Sequence, residues 1–180
     1  MMIQDSGERR EFDSGAVRDI AEGKGRCDLL PLDVVSFYFN HLIDSNNPKK
    51  DKAMCVCQVL NNLDKVIRKD KDEDDTSDTY RQAIISAINS FTCCEYEWGS
   101  AKPILELSKH YEEGAKKYAE RNWEKGIPAH CYVDSCIRHL LKWYDGWDDE
   151  PHNRAILWNL SGLLWTLKNK PELNDLPGGY

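Results

Sequence analysis

The chain has 180 residues, 31 acidic against 24 basic side chains and a formal net charge of -7 with a pI near 5.3, which argues against a protein that coats nucleic acid by neutralising phosphates. Seven prolines and eleven glycines are too few for a fibrous or disordered chain, and the length suits one domain with a real core. No run of about eighteen apolar residues occurs and MMIQDSGERREF lacks the apolar core of a signal peptide, so neither a membrane nor secretion is expected; the expected location is the cytoplasm.

In chain order, residues 1–31 mix charges with Gly7, Gly15, Gly23 and Gly25 and end in DLLP. That composition predicts an extended arm docked at its C-terminal end. Pro31 then opens LDVVSFYFNHLID, a helix at apolar spacing that SNNP (45–48) stops. Phe37, Tyr38 and Phe39 are too wide for one helix face, so part of this cluster is expected to meet a second copy in a homo-oligomer.

Ala53, Cys57, Leu60, Leu63, Val66 and Ile67 form a second amphipathic stripe, followed by the charge run KDKDEDDTSD. The run reads as a solvated loop, with Asp72–Asp75 as a minor candidate for cation binding. Tyr80, Ala83, Ile84, Ala87, Ile88 and Phe91 predict a third helix, capped by Ser77 or Asp78. A fourth runs from Pro103 to about Ala119, the turn RNWEKGIP follows, a fifth spans about Tyr132 to Tyr144, and a sixth runs from Pro151 to about Lys168 with Asp149 or Glu150 as cap. No segment alternates as a strand should and nothing repeats, so the fold class is all-α, a bundle of about six helices with an extended N-terminal arm.

The seven cysteines, at 27, 55, 57, 93, 94, 131 and 136, lack the paired C-x2-C spacing of a structural zinc site and read mostly as buried thiols. On the fourth helix Glu106, His110, Glu113 and Glu120 share a face, which suits either a divalent cation or a solvated surface where Glu112 and Glu113 pair with Lys116 and Lys117. On the fifth, Asp134 and Arg138 are one turn apart, as an ion pair or as a carboxylate holding a phosphate-binding fork. Asn159 interrupts an apolar stretch of the sixth helix and needs a polar partner inside. Asp145, Asp148, Asp149 and Glu150 approach that helix, some to cap it and some free to meet a metal. The turn itself gathers Tyr118, Arg121, Asn122, Trp123 and Lys125, a mixture that suits a nucleotide or, for Trp123, a plug in the core.

Three stretches, SGAVRDIAEGKGRCDLLPLDVV, LSKHYEEGAKKYAERNWEKGIPAHCYVDSCIRHLLKWYDG and DDEPHNRAILWNLSGLLWTLKNKPEL, resemble phage and prophage proteins of the dATP/dGTP diphosphohydrolase N-terminal domain family. GAKKY, RNWEKG, the RH pair and WN in that order carry the resemblance, which spans 14–38 and 104–175 and leaves about 39–103 as an insertion. The chain then divides, within one domain over 1–180, into an arm (1–31), a helical insertion (32–101) and the motif-bearing core (102–180).

The resemblance implies an all-α enzyme of a phage or prophage, acting in the bacterial cytosol, that splits deoxypurine triphosphates between the α and β phosphates to release pyrophosphate. It implies Mg2+ or Mn2+ as cofactor, a nucleotide as partner, and a distant likeness to MazG-type pyrophosphohydrolases. Those carry E-E-x-x-E and E-x-x-D clusters; here Lys116 stands third after Glu113, and the late helix offers His152 and Asn159. With that departure, the expected metal ligands are Glu113, Asp134, Asp149 and His152, with Glu113 and Asp134 catalytic. Arg121, Lys125 and Arg138 are expected at the phosphates, Tyr118 and Trp123 at the base and Asn159 at the base or sugar, with Lys116, Lys117, Asn122 and His139 as further nucleotide-binding residues. The incomplete carboxylate set keeps an alternative open: a non-catalytic nucleotide-binding protein that sequesters a signal or inhibits a host defence factor.

Overall fold

The computed structural model describes residues 7–20, 23–43, 46–68 and 76–177. Two three-residue strands, β1 (Arg9–Glu11) and β2 (Val17–Asp19), pair antiparallel with Arg10 opposite Arg18. Among the described residues six α-helices follow: α1 (Leu32–His41), α2 (Lys50–Ile67), α3 (Thr76–Glu95), α4 (Lys102–Tyr118), α5 (Ala129–Asp145) and α6 (His152–Asn169).

The all-α reading holds, and the hairpin is the one addition to it. Strands this short cannot display alternation, and Gly15 at φ 76° makes the reversal between them. α5 begins a turn earlier than its periodicity indicates, because Pro128 directly precedes it. α3 begins at Thr76, so Ser77 and Asp78 lie inside its first turn rather than ahead of it. Asp72–Asp75 fall outside the described residues. Neither Asp149 nor Glu150 caps α6 through its side chain; the residue at that boundary is Pro151.

All six residues of the α2 stripe are buried, joined by Cys55, Val56 and Val59. The wider buried surface follows from position, since α1 packs on one side of α2 and α3 on another. Phe39 enters the core at 4% exposure, whereas Phe37 and Tyr38 stay exposed at 64% and 62%. Cys55, Cys57, Cys131 and Cys136 are buried free thiols, Cys27 is half-buried, and Cys93 and Cys94 are exposed.

The centre is the α5–α6 pair. Gly146, at φ 82°, ends α5 by donating its N–H to the carbonyls of Lys142 and Trp143 at 3.0 and 3.2 Å, and the short connection returns the chain as α6. Fully buried Tyr132 on α5 packs where α6 carries Gly162; a Cβ there would stand 2.3 Å from the ring. The chain's end docks on the start of α5. The His130 N–H donates to Asp175 Oδ1 at 2.9 Å, the His130 imidazole pairs with Asp175 Oδ2, and Leu176 is buried beside them.

Two outcomes follow from these contacts. Gly162→Ala forces the Tyr132 ring to move and is expected to cost about 1–3 kcal/mol, measured by denaturant unfolding. The hydrogen bond to Asp175, helped by one to Cys131, raises the His130 pKa from 6.5 to about 10. A raised folded pKa contributes stability that is complete below pH 6.5 and disappears as the pH climbs towards 10. Calorimetry at fixed ionic strength should therefore show the melting temperature falling across that window, and falling less in Asp175→Asn.

Candidate functional site

The turn after α4 is built to receive the hairpin. Ala119 and Arg121 adopt positive φ values of 143° and 56°, uncommon for residues with a Cβ. Arg121 is held by its own neighbour, its Nε donating to Glu124 at 2.8 Å. Behind them Asn122, buried, makes a two-way bridge to the hairpin: its Oδ1 accepts from the Val17 N–H at 3.0 Å and its Nδ2 donates to the Val17 carbonyl at 2.9 Å. Lys125 donates to the Gly15 carbonyl at 3.2 Å and Ser14 donates to that of Gly126. At the far end of the hairpin Asp19 is grasped by Lys117 Nζ (2.7 Å), the Tyr118 hydroxyl (3.0 Å) and Arg9 (3.0 Å).

Pinned this way, the hairpin walls a cavity of about 890 Å³, within the range of small-molecule sites, closed otherwise by α4, α5, α6 and the turn. Small residues on α4, Gly114 and Ala115, leave room; a Cβ at Gly114 would meet nothing within 4 Å. The wall carries the aromatic rings of Tyr111, Tyr118, Trp123 and Trp158. Trp123 stands edge-on to Trp165 at 4.9 Å and to Tyr111 at 5.6 Å, so it both packs and faces the cavity.

Arg10 and Arg18 are cross-strand partners and both line the cavity. Arg18 lies against the adjoining rings of Tyr132 and Trp158 at 5.5 and 5.3 Å and donates to the Cys131 carbonyl (2.9 Å) and Asn159 Oδ1 (3.3 Å). All of these are neutral. Burial lowers the Arg18 pKa, and Arg10 opposes its charge further. Arg10 donates to the Cys131 thiol at 3.3 Å and its Nε has no hydrogen-bond partner. Among the described residues, no carboxylate pairs with either guanidinium. Asn159, expected to need a partner, is satisfied by Arg18 and by donating to the Ala155 carbonyl at 2.8 Å.

His110 from α4 also lines the cavity, its ring 5.8 Å from that of Trp158 and its Nδ1 unpartnered. Burial, reinforced by the charges of Arg154, Arg18 and Lys117, lowers its pKa to about 4, so it is neutral near pH 7.

The four expected metal ligands do not share one contact set. Glu113 accepts from Arg154 at 2.9 Å, and the same guanidinium takes Glu106 at 3.2 Å; Glu113 is not part of the cavity wall. Asp134 is on the wall, accepting from Arg138 and from the Cys27 N–H at 2.7 Å, while Arg138 also donates to the Lys24 carbonyl at 3.2 Å. Asp149 and His152 do meet, at 2.9 Å, and beside them stand His139, Glu150 and Lys142. His139, expected to bind the nucleotide, has its Nδ1 2.9 Å from that of His152, and burial followed by the neighbouring His152 drives its pKa down. Lys116 is paired with Glu112 on the exposed side of α4.

His139, Glu150 and His152 offer two imidazole nitrogens and one carboxylate oxygen, all within 4.8 Å of one another. This donor set fits a divalent cation, and His139 and Glu150 open onto the cavity. Sequence reasoning passed over Arg10, Arg18 and Trp158, and had Glu150 only as one of four acidic residues available to cap α6 or meet a metal. The pattern that finds the arginines is DSG at 13–15: a reversal centred there sets residues 10 and 18 opposite each other.

Fold and site together define a helical protein organised around a cavity with aromatic walls and two cross-strand arginines. The chain belongs to the dATP/dGTP diphosphohydrolase N-terminal family, whose profile matches residues 87–176, half of its length. No curated protein and no solved structure matches it. The matched segment holds His139, Glu150, His152 and Asn159, while Arg10 and Arg18 precede it. No helix among the described residues is long and apolar enough to cross a membrane.

Proposed function

We propose that the cavity binds a deoxypurine nucleoside triphosphate and that the protein hydrolyses it between the α and β phosphates, giving the nucleoside monophosphate and pyrophosphate. The observation that carries this reading is the facing pair Arg10 and Arg18, aimed into the cavity without a carboxylate partner. Like charges directly opposite on a hairpin are unfavourable, and an anion between them turns that repulsion into binding. The family supports phosphate chemistry as the source of that anion.

In this reading the triphosphate lies towards Arg10, Arg18 and Arg138. The purine lies against Trp123, Trp158 and Tyr118, whose faces stack on bases without reading their edges. His110, neutral and with a free ring nitrogen, is placed to hydrogen-bond the base or sugar. His139, Glu150 and His152 would hold the divalent cation, Mg2+ or Mn2+, which when bound offsets phosphate charge and makes a ligated water acidic. A water oxygen bonds to the α phosphorus, the bond from that phosphorus to the bridging oxygen breaks, pyrophosphate leaves, and the water proton passes to a wall carboxylate, Asp134 here. Lys142, bonded to Asp149 at 2.6 Å and 3.9 Å from Glu150, keeps the two carboxylates in place.

Incubation with dATP or dGTP and Mn2+ is expected to release pyrophosphate and a monophosphate in equal amounts. Recovery of intact nucleotide after prolonged incubation overturns hydrolysis and leaves binding alone. Arg18→Met is expected to weaken binding of α,β-methylene dGTP by about tenfold or more, since hydrogen bonds to charged groups contribute about 1.5–3 kcal/mol. The same substitution should leave the melting temperature nearly unchanged, because relief of a desolvated charge facing a like charge is offset by the donors lost to buried Asn159 Oδ1 and the Cys131 carbonyl. Unchanged affinity in calorimetric titration would place the phosphates elsewhere.

A further inference from the structure

The connection between α5 and α6 assembles a chain of four polar groups that the ion pairs of the cavity do not explain. Lys142 Nζ donates to Asp149 Oδ2 at 2.6 Å, Asp149 Oδ1 faces His152 Nε2 at 2.9 Å, and His152 Nδ1 faces His139 Nδ1 at 2.9 Å. Glu150 Oε1 stands 4.0 Å from His139 Nδ1. His152 is buried, with 3% of its surface exposed, so its ring cannot turn to solvent.

The proton positions follow from the acceptors. Asp149 accepts from Lys142 on Oδ2, and its other oxygen is the acceptor facing His152, so the tautomer that fits is the one in which His152 Nε2–H donates to Asp149 Oδ1. In that tautomer His152 turns Nδ1 towards the space shared with His139 and Glu150. A carboxylate fixing the tautomer of an imidazole from its far side is the arrangement that orients histidine ligands to metals. The 2.9 Å between the two Nδ1 atoms suits adjacent donors at about 90° on an ion with bonds of about 2.1 Å, and the Glu150 oxygen, 4.0 Å from His139 Nδ1, has to draw in to complete the set.

We infer that His139, Glu150 and His152 form a metal centre for a divalent first-row transition ion, with Asp149 as the positioning residue that sets the His152 tautomer. The donor types decide the ion class. Mg2+ demands oxygen ligands in near-ideal octahedral geometry, whereas imidazole nitrogens suit the transition ions. The inference deepens the hydrolytic reading, yet its geometry involves no nucleotide.

Mn2+ is the probe of choice, because the seven free thiols compete for softer ions such as Zn2+. Titration of the full chain with Mn2+ alone, followed by electron paramagnetic resonance, is expected to show one ion bound per chain. About a hundredfold excess of Mg2+ should leave most of it in place. Pulsed measurements should show nitrogen-14 modulation from directly ligated imidazole. Asp149→Asn is expected to weaken Mn2+ by about 10–100-fold while keeping that nitrogen signature, the effect of losing an outer-sphere orienting group. His139→Ala should abolish the site, with circular dichroism confirming the fold.

Absence of Mn2+ binding, displacement by stoichiometric Mg2+, or a bound ion without nitrogen modulation would each overturn the inference. The wild-type nitrogen signature decides the question even if His139→Ala does not fold. Because every measurement omits nucleotide, a failed pyrophosphate assay with Mn2+ bound sinks only the hydrolytic reading. Nucleotide binding without Mn2+ binding sinks only the metal centre.

Discussion

Two guanidinium groups facing one another across a six-residue ribbon, with no carboxylate paired to either among the described residues, set the terms for everything around them. Arg10 and Arg18 repel, so a three-residue pairing could not hold them together by its own ladder. The ribbon is instead fixed from outside, by the Asn122 amide on Val17, by Lys125 on Gly15 and by the grip of Lys117 and Tyr118 on Asp19. This explains why the turn after α4 accepts two residues at positive φ. Its conformation delivers the Asn122 side chain to the hairpin, and the contacts it makes there offset the strain.

Tyr132 ties this polar face to the apolar core. One side of its ring lies near the Arg18 guanidinium and another edge occupies the space Gly162 leaves on α6. The closeness of α5 and α6 that buries Tyr132 also brings His139 within 2.9 Å of His152. Core packing and candidate metal geometry are thus two consequences of one helix pair, joined by a connection whose Gly146 turn fixes where Asp149 and Glu150 fall. Arg138, Lys142 and Arg154 are each matched to carboxylates, whereas Arg10 and Arg18, with Lys24 beside them on the cavity wall, carry no ion pair among the described residues.

Much of this was legible in the sequence where the signal is local. Apolar spacing marks α2 and α6, prolines mark where α1, α4 and α6 begin, and Asp134 with Arg138 one turn later makes the ion pair that spacing allows. The mixture in RNWEKG correctly singled out a segment on the cavity wall, although Asn122 and Lys125 turn to the hairpin and Arg121 to Glu124. Glu113 shows the limit. Its seven-residue spacing from Glu106 places both on one face of α4, but that they share Arg154 depends on α6, forty residues on.

The sequence by itself determined an acidic, all-helical chain, the approximate extent of its helices and a family resemblance, because these rest on composition, period and contiguous motifs. Only the tertiary structure decided which charges are already paired and which face the cavity, because an ion pair or a ligand set depends on distances between segments distant in the chain. Arg18 meets Asn159 across 141 positions, and His139 meets His152 only because the chain doubles back between them. Period and composition carry no record of such meetings, since the energy that selects them comes from packing the helices against one another.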